Sequence, residues 1–146
     1  MTARRPVRFE RVFPVADADI DELGHVNNVV YLRWVQEIAV AHWRAAAPAD
    51  LQTEVVWVVL RHEIDYKRPA RAGDLVNGRT WVGDATGSRF ERFTEFVRAP
   101  GDEVLAQARS VVPAQCPYRP PAPHRSRAAR PFLRARLALT RLVRLR

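Results

Sequence analysis

The spacing of apolar residues changes period twice along this chain, from a loose alternation to a helical repeat and back to alternation. Val7 to Val15 alternates and predicts a first strand with Pro14 near its end. From Val29 to Ala45, a step of about 100° per residue places Tyr31, Trp34, Val35, Ile38, Ala39 and His42 on one broad arc. Arg33, Glu37 and Arg44 fall opposite. Such an arc covers about half the circumference and suits a helix held against a curved sheet. Pro48 ends it, because proline has no amide proton to continue the hydrogen-bond ladder.

After the helix the pattern turns to strands. Val55 to Lys67 opens with β-branched and aromatic residues and then alternates, with Ile64 and Tyr66 on one side; Pro69 to Asp74 reads as a turn. Leu75 to Val82, Phe90 to Val97 and Val104 to Val112 are three further strands, separated by the GDATGS and APGDE loops. One strand, a long helix and four strands joined by short loops predict an α+β layer, an antiparallel sheet with one face under a helix. No internal repeat is present. Ala128 to Arg146 is helix-permissive, but Arg136 and Arg146 fall on the same side as Leu139 and Val143, which predicts that it does not dock firmly.

Composition then fixes the setting. At 146 residues the chain is one ordinary domain, able to bury roughly two-thirds of its unfolded surface. The formal charge of +8 invites a nucleic-acid reading, yet residues 125–146 hold eight arginines and no acids, leaving residues 1–124 formally neutral. Six of the eleven prolines lie from Pro113 onward and no Asp or Glu follows Glu103, so a boundary is expected between residues 114 and 124. The expected organisation is a main domain over residues 1–124 and a basic arginine-rich tail over residues 125–146. A single cysteine, Cys116, excludes an internal disulfide framework, and the opening MTARRPVRFERVF lacks the apolar stretch of a secretory signal. A cytoplasmic protein is the expectation. The apolar run Val55 to Leu60 is far short of the ~20 residues a membrane-spanning helix needs.

The chemistry concentrates in DIDELGHVNNVVY, Asp19 to Tyr31, just ahead of the helix. Asp19 and Asp21 alone read as turn formers or caps. Gly24, three residues after Asp21, lets the chain turn tightly and bring backbone amides close to a ligand. His25, Asn27 and Asn28 add polar groups without bulk, and a helix start here has N–H groups to offer a developing oxyanion, worth ~10²- to 10³-fold in rate at other sites. His25 reads first as a strut that fixes the loop, then as base or ligand. His42 lies on the apolar arc and reads as a core histidine. No metal site is expected: Asp19, Asp21 and His25 stand without a supporting cluster, and His62, His124 and Cys116 are isolated. The nucleophile elbow, the phosphate-loop lysine, the dinucleotide glycine pattern and the zinc-protease helix motif are all absent.

The stretch from Asp19 to Trp34, followed by RHEIDYKRPARAGD from Arg61 to Asp74, resembles the hotdog-fold acyl-CoA thioesterases of the 4-hydroxybenzoyl-CoA thioesterase type. The likeness spans residues 7–113 in element order. It implies a hotdog fold, a long central helix wrapped by a five- or six-stranded antiparallel sheet, and a homodimer, often paired into a homotetramer, with sites at the subunit interface. It also implies that Asp21 is the catalytic carboxylate and that the segment Gly24, His25, Val26, Asn27 and Asn28 shapes the oxyanion pocket, with Tyr31 lining it. The tail lies outside the likeness.

The leading expectation is therefore a hydrolase of acyl-CoA or acyl carrier protein thioesters, with Asp21 as base or nucleophile and no cofactor. Coenzyme A carries several phosphates, so Arg68, Arg71 and Arg89 are candidate anchors, against the reading that they are simply solvated. One rival is a non-catalytic acyl-thioester binding or regulatory protein on the same fold. Another makes the basic tail the functional part, tethering the domain to nucleic acid or an anionic membrane.

Overall fold

The computed structural model describes residues 7–86, 89–113, 134–135 and 137–140. In chain order these form β1 (Phe9–Pro14), a 3₁₀ turn (Asp17–Asp19), α1 (Asn28–Ala46), α2 (Ala49–Glu54), β2 (Arg61–Tyr66), β3 (Leu75–Thr86), β4 (Arg89–Ala99) and β5 (Glu103–Pro113). The strands make one antiparallel sheet in the order β1-β3-β4-β5-β2. α1 packs across one face of it, the α+β layer expected from the pattern and the hotdog arrangement implied by the resemblance. No helix among the described residues is long and apolar enough to cross a membrane.

α1 starts where Asn27 caps it, the side-chain oxygen accepting from the Val29 N–H at 3.0 Å. Its buried residues are Val30, Tyr31, Trp34, Val35, Ile38, His42 and Trp43, the arc read from the sequence widened by Val30 and Trp43, with Ala39 only half-buried. Val30, Tyr31, Trp34, Val35 and Ile38 meet Phe13 of β1, Val76 of β3, Phe96 of β4 and Leu105 of β5 in the main core. Each such side chain gains roughly 1.5–3 kcal/mol on burial. Gly78 faces the helix at the tightest point. A Cβ there would lie 2.8 Å from Phe13, 3.0 Å from Ile38 and 3.2 Å from Phe96, so the helix reaches the sheet only because that position has no side chain.

Further along the helix the interior becomes polar. Arg92 is buried, with Nη1 3.0 Å from His42 Nδ1 and 3.2 Å from Thr80 Oγ1. Burial, and then the neighbouring Arg92 charge, lowers the His42 pKa to about 3, and burial alone lowers that of Arg92 to about 10. Neutral His42 thus accepts from Arg92, stacks on Phe9 at a ring separation of 5.0 Å, and is hydrogen-bonded to the Leu139 backbone.

Three local expectations are corrected. The strand expected from Val55 begins only at Arg61, because Leu51 of α2 anchors a second apolar cluster and Trp57 packs on Trp43 at 5.1 Å instead of joining the sheet. The expected GDATGS loop is largely strand: β3 runs on to Thr86, with a register shift between Val82 and Ala85 that absorbs Gly83 and Asp84. Finally, the described part of residues 128–146 is helical and docked. Ala135 and Leu139 are buried against Trp43, Ala47 and Leu51, and Arg134 pairs with Asp50 at 3.3 Å. Two small contacts one helical turn apart suffice for this, which a wheel of the whole segment averages away.

Candidate functional site

β1 delivers the chain to the 3₁₀ turn, and the loop that follows is closed by a single bridge between Ile20 and Val26. Inside it the Asp21 N–H donates to the His25 carbonyl at 2.9 Å, and the Gly24 N–H donates to the Asp21 carbonyl at 3.0 Å. Gly24 sits at φ +76°, a left-handed conformation that a side chain would strain. The two aspartates of the motif part company here. Asp19 is buried, its carboxylate accepting from Arg33 Nη2 at 2.6 Å and from the Ala16 N–H at 3.1 Å. Its backbone carbonyl accepts from the Asn27 N–H at 2.9 Å, so Asp19 is a strut under the helix start. Asp21 faces outward into a depression; its Oδ1 accepts from the Leu23 N–H at 2.9 Å.

That depression, about 370 Å³ in volume, lies at the N-terminal end of α1. Asp21, Leu23, His25, Val26, Asn27, Asn28 and Tyr31 form one wall, and Tyr66, Lys67, Arg68 and Pro69 form the other. The second wall follows β2, and four interactions fix it. The Tyr66 hydroxyl donates to the Asn28 carbonyl at 3.1 Å, and the N–H groups of Lys67 and Arg68 both donate to the Leu105 carbonyl, at 2.8 and 3.1 Å. The Val26 N–H donates to the Ala70 carbonyl at 2.9 Å, joining the two walls at their base. Arg98 braces the same turn, donating to the Pro69 carbonyl at 2.8 Å while pairing with Asp74 and Glu103.

Tyr31 is the least exposed lining residue, at 3%, and among the described residues its hydroxyl meets no hydrogen-bond partner at good geometry, the Ala70 backbone being the polar group beside it. Burial pushes its pKa up to about 12, opposed by the nearby Ala70 backbone and the Arg98 charge. A neutral phenol therefore closes the inner end.

Seven of the residues singled out from the sequence at the helix start (Asp21, Gly24, His25, Val26, Asn27, Asn28 and Tyr31) are thus brought to one loop and helix terminus; Gly24 turns the loop beneath the others, which line the depression. Of the three candidate anchors only Arg68 joins them. Arg71 is exposed on the adjoining turn, and Arg89 lines a separate depression with Leu60, Arg61, Glu91, Arg109 and Val111. Tyr66 and Lys67 were missed, although both lie in the RHEIDYKRPARAGD stretch. Among the described residues no group of three His, Cys, Asp or Glu side chains is placed to hold a metal ion.

Residues 15–123 match the model of the thioesterase-like superfamily. No curated protein matches the chain. Among solved structures, it is similar to a thioesterase of Thermus thermophilus complexed with coenzyme A and zinc, at 26% identity and a TM-score of 0.70, over 91% of this chain and 92% of that one. A 1,4-dihydroxy-2-naphthoyl-CoA thioesterase from Synechocystis matches at 21% identity and a TM-score of 0.69, over 90% and 96% of the two chains. A mutant 4-hydroxybenzoyl-CoA thioesterase complexed with 4-hydroxybenzoyl-CoA shares the fold at 14% identity and a TM-score of 0.66, over 73% and 82%.

Proposed function

The chain belongs to the thioesterase-like superfamily, and from that premise we propose that it hydrolyses acyl-coenzyme A thioesters to the free acid and thiol, with Asp21 as the catalytic carboxylate. The observation that carries this reading is the placement of Asp21 on a tight glycine loop beside the N-terminus of α1, in one depression with Lys67 and Arg68. A thioester carbonyl has little resonance stabilisation and its thiolate leaves readily, so a carboxylate has two routes. As base, Asp21 takes a proton from water while the hydroxide oxygen bonds to the acyl carbon, a contribution of ~10²- to 10⁴-fold. As nucleophile, it forms a mixed anhydride that water then cleaves. In both, the carbonyl oxygen becomes an oxyanion, and the helix start beyond Asn27 offers its positive dipole to it, the Val29 N–H being held by the Asn27 cap. Collapse of the oxyanion breaks the C–S bond: in the first route the thiolate takes up the proton held by Asp21, and in the second it leaves as the anhydride forms and takes its proton from solvent, before water cleaves the anhydride.

The phosphates of coenzyme A fit the cationic wall of Lys67 and Arg68 at the mouth; Arg71 and Arg89 have no part in this depression within one chain. We also infer a homodimer. β2 is an edge strand, and Leu23, Val29 and Tyr66 beside the depression are 79%, 70% and 44% exposed, an apolar margin that a second copy would cover. The unit we hold responsible for catalysis is residues 1–124.

Thiol release from acyl-coenzyme A, followed with a chromogenic disulfide, tests the activity. Turnover that Asp21→Asn abolishes supports it, and a protein that binds acyl-coenzyme A without releasing thiol is a binding module instead. Label left in Asp21 after a single turnover in ¹⁸O-water identifies the nucleophilic route, with water attacking the Asp21 carbonyl of the anhydride, because the base route never labels the side chain.

A further inference from the structure

The depression has a floor, and the floor bears on which acyl groups fit. Tyr31 closes the inner end, and the space behind it is filled. Its ring meets Trp34 edge-on at 5.2 Å and Phe96 at 5.7 Å, and Trp34 and Phe96 are 2% and 0% exposed. Ile38, further along α1, is 0% exposed. Opposite it, Gly78 has no room even for a Cβ, which would meet Phe13, Ile38 and Phe96 within 3.2 Å. No residue of α1 beyond Tyr31 lines the depression. An acyl chain entering past Asp21 therefore meets a ring backed, among the described residues, by close-packed side chains between the helix and the sheet. Tyr66, edge-on to Tyr31 at 5.6 Å, bounds the same end from the other wall.

Resting on the thioesterase reading above, we propose that this site takes compact acyl groups, a few carbons or a single ring, and that Tyr31 is the residue that sets the limit. Tyr31 acts by its bulk. A second copy docked on β2 adds wall at the mouth, but the ring lies inside its own protomer and keeps its place.

The experiment measures binding of non-hydrolysable S-alkyl-coenzyme A thioethers of increasing length by calorimetry, beside hydrolysis of the matching acyl-coenzyme A series. Each methylene that enters an apolar site raises affinity about fourfold. Wild-type affinity is expected to climb over the first few carbons and then go flat. Tyr31→Ala is expected to move that break outward by several carbons, and Tyr31→Phe, which keeps the ring, to return it to the wild-type position. Affinity still rising from octyl to dodecyl in the wild type overturns the proposal, as does a break that Tyr31→Ala leaves unmoved. If Tyr31→Ala does not fold, the wild-type series alone decides. A break in binding with no hydrolysis of any acyl-coenzyme A upholds the length limit and refutes the hydrolase reading instead.

Discussion

The hydroxyl of Tyr66, the last residue of β2, donates to the carbonyl of Asn28, the first residue of α1, across 3.1 Å. One bond thus ties the two walls of the depression at its rim. An edge strand is held on one side only, and without this bond the rim is tied to the helix start only from below, through the Val26 N–H and the Ala70 carbonyl.

Tyr66→Phe keeps the ring against Tyr31 and removes the bond. Since Tyr66 is 44% exposed, the stability cost should sit at the low end of the ~0.5–1.5 kcal/mol of a net hydrogen bond. KM for acyl-coenzyme A should rise several-fold with kcat little changed. Steady-state kinetics beside a thermal melt check both; an unchanged KM would show that the bond does not set the width of the site.

Asp19 and Asp21 are two residues apart and should fail in opposite ways. Asp19→Ala leaves the Ala16 N–H without its acceptor and Arg33 with Glu37 alone and should cost ~1–3 kcal/mol, discounted because Arg33 is 53% exposed. Its melting temperature should fall by several degrees while the folded fraction keeps most of its activity. Calorimetry and turnover on the same sample distinguish this from loss of catalysis.

The division between those aspartates marks how far the sequence could be read. The helical arc and the succession of elements along the chain were legible because period follows burial, and the loop from Asp21 to Asn28 was legible because glycine and helix-capping types have few other uses in that order. Nothing in the spacing, however, says which aspartate turns inward under Arg33. Tyr66 has the profile of an ordinary exposed edge-strand residue, and its role comes from a helix start 38 positions away. Arg92 occupies an inward position between Phe90 and Thr94, and the partner that makes this tolerable, His42, is 50 positions off. Val55 to Leu60 looked like strand because apolar composition does not tell a sheet from a satellite cluster.

His42 supplies a pH test. Its pKa is lowered from 6.5 to about 3 in the fold, so between those values the unfolded chain binds a proton that the native protein does not, and stability rises with pH. The contribution is complete above about pH 6.5 and is lost as pH falls toward 3. Denaturant unfolding at pH 7, 6 and 5 should show a decline that His42→Gln reduces by up to ~1.4 kcal/mol per pH unit, one proton's worth. The difference between wild type and variant isolates His42 from His62, whose pKa burial also lowers. Parallel curves would show that His42 titrates alike in both states.

Deleting residues 125–146 uncovers Trp43, Ala47 and Leu51 and removes the Leu139 partner of His42. Losing a buried leucine alone costs about 2 kcal/mol, so the melting temperature should drop by several degrees. Retention on heparin should weaken in the same deletion, since eight arginines go with it. A truncated protein that melts like the full chain would mean that the docking of Ala135 and Leu139 adds nothing to stability.

Asp21→Asn tests the central claim most directly. The amide preserves the size of the side chain and an oxygen able to accept from the Leu23 N–H, but it can neither take a proton from water nor attack the thioester. Measured as thiol release from a short acyl-coenzyme A, kcat should fall at least ~10²-fold, with KM and the melting temperature near their wild-type values. Turnover like that of the wild type in the folded variant would contradict the account.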